Sequence, residues 1–162
     1  QCSVKDLTNG FDSVSLCLSK GLGAPVGSVL VGTKDFIKEA RRVRKMLGGG
    51  MRQAGLLAAC GLVAIESQVD RLAEDHIFAS RLASELAQIP EVRTEPHGAN
   101  TNMVFIEVNE EHRKKLQDFL MGEGIIIGGR PPTFRLVVHR DIDESDINKT
   151  IKSIAKFFRN DY

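Results

Sequence analysis

An α/β chain in two parts is predicted by three observations. Two short apolar runs bounded by glycine and proline lie near the start, segments of helical periodicity continue to Leu86, and short strands alternate with helices after Pro90. The change of periodicity after Pro90 sets residues 91–162 apart as a small α+β domain, with residues 1–66 as a first part and 67–90 as a long connecting helix.

The runs Ser13 to Ser19 and Ser28 to Val31 are β-branched or apolar, which predicts two buried strands joined by a turn at Lys20. Thr33 can cap a helix with Phe36, Ala40, Val43 and Leu47 on one face. The opposite face carries Lys34, Lys38, Arg41, Arg42 and Lys45, diluted by Asp35 and Glu39 and without aromatic residues to stack bases. That stripe is expected to be a solvated face and not a nucleic-acid surface. Gly48, Gly49 and Gly50 stop the helix, and Ala54 to Ile65 is apolar on every side, so a buried helix is expected there. A further helix with the stripe Val69, Leu72, His76, Ala79, Ala83 and Leu86 ends before Pro90.

Beyond Pro90 the pattern predicts strands at Glu91 to Thr94, Asn102 to Val108, Gly124 to Ile127 and Thr133 to His139. Helices are expected from about Glu110 to Met121 and from Asp143 onward. Ile147, Ile151, Ile154 and Phe158 supply the last helix with an apolar stripe, so it should lie across one face of a short antiparallel sheet.

The chain of 162 residues has 22 basic and 21 acidic residues, a balance that gives no global attraction to nucleic acid or membrane. No apolar run is long enough to cross a bilayer, which predicts a soluble protein. Cys2, Cys17 and Cys60 have no metal-ligand spacing; Cys17 and Cys60 lie in apolar segments and are expected to pack as small hydrophobes. Unpaired thiols favour a reducing, cytoplasmic location. His76, His97, His112 and His139 are scattered, so no metal site is expected.

Three cations stand out as candidate site residues. Lys20 ends an apolar run and opens a turn of small and apolar residues, where an amine has little local water and is readied for nucleophilic chemistry; an ordinary exposed turn lysine is the alternative. Gly21, Gly23 and Gly27 make neither a dinucleotide fingerprint nor a phosphate loop ending in Lys-Ser or Lys-Thr. Arg52 follows Gly49 and Gly50 at the entry to the apolar helix, where free N–H groups and the helix dipole suit a phosphate or carboxylate. Pairing of Arg52 with a neighbouring acid is equally open. Arg135 shares a strand with Phe134, Leu136 and Val138 but points to the other face. Its guanidinium needs either a structural carboxylate or a substrate carboxylate, and Arg130 is a weaker candidate for the same role.

In order along the chain, Ser15-Leu16-Cys17-Leu18-Ser19-Lys20-Gly21-Leu22-Gly23-Ala24-Pro25-Val26-Gly27-Ser28, Arg44-Lys45-Met46, Gly48-Gly49-Gly50-Met51-Arg52-Gln53, Thr101-Asn102-Met103 and Arg135-Leu136-Val137-Val138-His139 resemble the low-specificity L-threonine aldolase family. The resemblance covers that family's C-terminal portion. It implies a pyridoxal phosphate protein of the aspartate aminotransferase fold type (fold type I). Residues 1–66 would then be a remnant of the large domain, with its mostly parallel sheet, and residues 91–162 the small domain. Lys20 would be the amine that joins the cofactor covalently, Arg135 would hold the substrate carboxylate, and Arg52, beside Gly49 and Gly50, would reach the cofactor phosphate of a neighbouring subunit in a dimer or tetramer. The implied reaction cleaves L-threonine or L-allo-threonine to glycine and acetaldehyde. The family's upstream aspartate, ring-stacking histidine and phosphate-binding turn have no counterpart here, which implies a fragment that alone binds cofactor weakly and turns over little. Another lyase of the fold type acting on a β-substituted amino acid, and a non-catalytic anion-binding or oligomer-forming domain, are the competing expectations.

Overall fold

The computed structural model describes residues 2–94, 99 and 101–159, and the sequence-predicted His97 lies outside them. The chain divides into two compact units, Gln1–Val69 and Asp70–Tyr162.

The first unit opens with the short helix α1 (Val4–Thr8), whose N-cap Ser3 and Asp6 bond each other's backbone N–H groups reciprocally. Strands β1 (Ser13–Cys17) and β2 (Ser28–Gly32) follow and pair antiparallel, with Ser13 opposite Gly32 and Cys17 opposite Ser28. These two strands are antiparallel, so within the described residues this segment contributes no parallel pair to the mostly parallel sheet implied for the large domain. Helix α2 (Lys34–Met46) starts as the sequence predicts, with the Thr33 hydroxyl accepting a hydrogen bond from the Phe36 N–H at 3.3 Å. It ends in a Schellman turn, Gly48 N–H donating to the Lys45 carbonyl and Gly49 N–H to the Arg44 carbonyl, with Gly48 at φ +85°.

Helix α3 (Gly55–Ser67) forms where predicted, but its expected burial does not. Only Gly61 and Ala64 are buried, while Leu56 is 78% exposed and Leu62 and Val63 are each 58% exposed. A helix apolar on every side needs neighbours on every side, and the described residues cover one of them. The same correction applies to the two strands, since every residue of β2 is exposed, and to the cysteines, all free and exposed.

The second unit holds the core. Helix α4 (Leu72–Leu86) leads to β3 (Arg93–Thr94), β4 (Met103–Glu107), helix α5 (Glu110–Gly122), β5 (Thr133–Val137) and helix α6 (Glu144–Arg159). The sheet has the order β3-β4-β5, antiparallel throughout, with Val104 opposite Leu136 and Ile106 opposite Phe134. These side chains are buried with Leu82, Leu86, Leu116, Leu120, Ile147, Ile154 and Phe157 in one cluster, so the helices cover one sheet face as the α6 stripe predicts. That stripe centres on Ile147, Ile154 and Phe157, with Phe158 only half-buried. Asp143 caps α6, its carboxylate held below the usual range first by the Ser145 hydroxyl and then by the Asp146 N–H.

Two expectations for this unit are revised. The α4 stripe runs through Asp75, Ala79, Leu82, Ala83 and Leu86, and His76 is exposed beside it. No strand forms at Gly124 to Ile127 among the described residues; the next residue, Gly128, makes an isolated bridge with Arg135, and Ile127 is buried in the core cluster. Ile154 is fully buried at the centre of α6, so Ile154→Ala is expected to cost about 2–5 kcal/mol, read as a lower denaturant midpoint at unchanged m-value.

Candidate active site

The Lys20 turn is built from backbone bonds and small buried side chains. Leu18 N–H donates to the Gly27 carbonyl at 3.0 Å, Ala24 N–H to the Leu18 carbonyl at 3.0 Å, and Gly23 N–H to the Lys20 carbonyl at 2.8 Å. Gly23 and Gly27 take φ values of +70° and +113°, which residues with a side chain rarely adopt. Leu18, Leu22 and Ala24 are buried, whereas Ser19 and Lys20 are exposed. A Cβ at Gly61 would lie 3.0 Å from Leu18 Cδ1, so α3 approaches the turn on its small-residue side. The expectation that the Lys20 ammonium is poorly hydrated is thus corrected: the apolar neighbours point inward and the lysine outward.

Arg52 is exposed in the turn before α3, next to Gln53 at φ +51°. Ala54 caps α3 without a side-chain hydrogen bond, so the first N–H groups of the helix have no side-chain acceptor from their cap. No described acid forms an ion pair with Arg52, which removes the neighbouring-acid alternative among the described residues. Gly49 and Gly50 have a local packing reason to be glycine: a Cβ would lie 2.8 Å from Arg44 Cγ at the first and 2.6 Å from Lys45 Cδ at the second.

Arg135 lies on edge strand β5, opposite Phe105 of β4, on the face without helices. Strand alternation is as the sequence predicts, with Phe134, Leu136 and Val138 buried and Arg135, Val137 and His139 exposed. The structural carboxylate partner does not appear, because Arg135 makes no ion pair with any described residue. Its backbone N–H donates to the Gly128 carbonyl at 2.6 Å. A cleft of about 570 Å³ runs along this edge between the stretch 124–129, β5 and α6. Arg130 is exposed in the preceding turn, its carbonyl accepting from Thr133 N–H at 2.9 Å.

Lys20 and Arg52 thus belong to the first unit and Arg135 to the second. Sequence reasoning about function left out Arg113, which bonds the backbone just ahead of Arg135, because an arginine on a charged helix carries no local signal of that contact. Among the described residues no group of His, Cys, Asp and Glu could hold a metal ion. No helix there is long and apolar enough to cross a membrane.

Solved structures define the class of fold. The chain superposes on serine palmitoyltransferase of Sphingomonas wittichii with a TM-score of 0.75 at 16% identity, covering 92% of this chain and 40% of that one. It superposes on a protein of Listeria monocytogenes EGD-E, proposed to be an L-allo-threonine aldolase, with a TM-score of 0.79 at 20% identity, covering 96% and 47%. The chain belongs to the beta-eliminating lyase family, whose model matches residues 1–109. It is 44% identical over 146 residues to the low specificity L-threonine aldolase of Escherichia coli (strain K12), covering 90% of this chain and 43% of that protein. It is also 44% identical over 152 residues to low-specificity L-threonine aldolase 1 of Arabidopsis thaliana, covering 91% and 42%. The chain therefore spans less than half the length of these curated relatives.

Proposed function

We propose that the whole protein is a pyridoxal phosphate-dependent lyase that cleaves L-threonine or L-allo-threonine to glycine and acetaldehyde, with Lys20, Arg52 and Arg135 as the groups this chain contributes. The observation that carries the reading is the 44% identity to the Escherichia coli enzyme across 90% of the chain. The donor set fits the cofactor and an amino acid: one exposed primary amine and two exposed guanidinium groups without described ion-pair partners.

Bound pyridoxal phosphate supplies a conjugated ring that accepts the electron pair released when the Cα–Cβ bond breaks. Lys20 offers the nucleophilic nitrogen that the cofactor's aldehyde requires, on a turn whose backbone bonds hold it in place. Arg52, beside the uncapped start of α3, offers a fixed positive charge to a phosphate, which we assign to the cofactor of a neighbouring subunit in a dimer or tetramer. Gly49 and Gly50 keep side chains out of that approach. Arg135 binds the substrate carboxylate through its planar fork, each charge-assisted bond contributing about 1.5–3 kcal/mol, and thereby orients the bonds at Cα.

Borohydride reduction of the purified holoenzyme followed by peptide mapping tests this assignment. The label is expected on Lys20; labelling scattered over surface lysines would overturn it. The family's description as beta-eliminating lyases favours one second reading, elimination from a β-substituted amino acid by the same three residues. Acetaldehyde release from L-threonine supports the first reading, and ammonia with pyruvate from L-serine or L-cysteine supports the second.

A further inference from the structure

We propose that Arg113 and Asn102 are positioning residues for Arg135, fixing the two ends of the strand that presents its guanidinium. The inference rests on the reading of Arg135 as the carboxylate-binding group.

Arg113 projects from α5, half-buried, toward the start of β5. Its Nη1 donates to the Pro132 carbonyl at 2.6 Å, its Nη2 donates to the Thr133 carbonyl at 3.2 Å, and its Cζ lies 4.0 Å from the centre of the Phe134 ring. One side chain thus holds the three consecutive residues before Arg135, and Phe134 is itself 1% exposed. No described carboxylate pairs with Arg113, so its donors serve the backbone of this strand. Only a planar, multiply donating cation can satisfy two successive carbonyls while stacking on a ring. At the other end, Asn102 Nδ2 donates to the Val138 carbonyl at 2.7 Å, and the Asn102 carbonyl accepts from the Val138 N–H at 2.8 Å. Residue 138 is thereby bonded through both of its backbone groups to a single partner.

Between these clamps β5 is an edge strand, held on its outer side, among the described residues, by the Gly128 bridge at Arg135. An edge strand without such clamps can shift or fray, and an arginine on it then shifts with it. A displacement near 1 Å at a substrate-orienting group costs on the order of 10²-fold in rate, so the clamps bear on how tightly a carboxylate is held.

The measurement is glycine affinity of the full-length holoenzyme by calorimetry, with kcat and KM for L-threonine alongside. Arg113→Met is expected to weaken glycine about tenfold and to lower kcat/KM for L-threonine by at least as much, Arg113→Lys to recover part of the loss, and Asn102→Asp to weaken glycine because a carboxylate cannot donate to the Val138 carbonyl. In the Arg135→Met background, Arg113→Met is expected to add nothing, since its effect passes through Arg135. Full additivity with Arg135→Met, or unchanged glycine affinity in both Arg113→Met and Asn102→Asp, would overturn the proposal. Unchanged glycine affinity in Arg135→Met alone would instead remove the reading of Arg135. If Arg113→Met does not fold, Arg113→Lys and Asn102→Asp carry the same cycle.

Discussion

Replacing Lys20 with alanine is expected to lower kcat for threonine cleavage on the order of 10⁴-fold or more, the scale on which enzymes lose rate with their nucleophile. Stability is expected to stay within about 0.5 kcal/mol, as for other exposed positions free of special backbone demands. The turn keeps its form without the side chain. Its bonds run between the backbones of Leu18, Lys20, Gly23, Ala24 and Gly27, and Leu18, Leu22 and Ala24 supply its buried contacts. The loss is therefore chemical. Acetaldehyde release measured on wild type and Lys20→Ala at equal cofactor saturation checks it, with thermal unfolding as control. A small exogenous amine is expected to restore part of the rate, because it replaces the missing nitrogen without the fold's help. Turnover close to wild type in Lys20→Ala would place the cofactor amine elsewhere.

The sequence shows its elements where periodicity and punctuation agree, as at Thr33 and Gly48 bounding α2 or at the alternating residues of β5. It misleads where a pattern reports a residue's character but not its surroundings. Ala54 to Ile65 is apolar on every side, yet apolarity says what a helix needs and not which neighbours are present, and most of α3 is exposed. Apolar sequence neighbours predict a dry setting for Lys20; the turn sends them inward and the amine outward. The missing strand at Gly124 to Ile127 has a similar cause. Isoleucines fit a pleated edge, but pairing needs a partner in register, and among the described residues the neighbouring Gly128 pairs with Arg135 while 124–127 do not pair. Candidate cations were legible because an arginine or lysine beside glycines or on an apolar strand is conspicuous. Their supports were not: Arg113 reaches residues 19 and 20 positions away, a separation no local pattern encodes.

Arg71→Met is expected to destabilise the second unit by about 3 kcal/mol, the lower end of the roughly 3–5 kcal/mol that breaking a buried ion pair costs. Asp75 sits on the buried stripe of α4 and is 1% exposed, the position that helical periodicity shifted by one to His76. Both of its oxygens are used: Oδ1 accepts from Arg71 Nη1 at 2.9 Å and Oδ2 from Arg71 Nη2 at 2.8 Å. This is the bidentate geometry that makes an arginine–carboxylate pair strong. Without Arg71 the carboxylate stays buried on the stripe of α4 with its partner gone, though the first turn of a helix is a favourable place for negative charge. Arg71 retains 21% side-chain exposure, so water can reach the gap and the cost falls toward the lower bound. If the penalty comes from the orphaned charge and not from lost attraction, Arg71→Met combined with Asp75→Leu should be more stable than Arg71→Met alone. Denaturant midpoints of the two single variants and the double variant decide it. Additive losses would mean that the pair is ordinary surface pairing and that α4 packs through its aliphatic side chains alone.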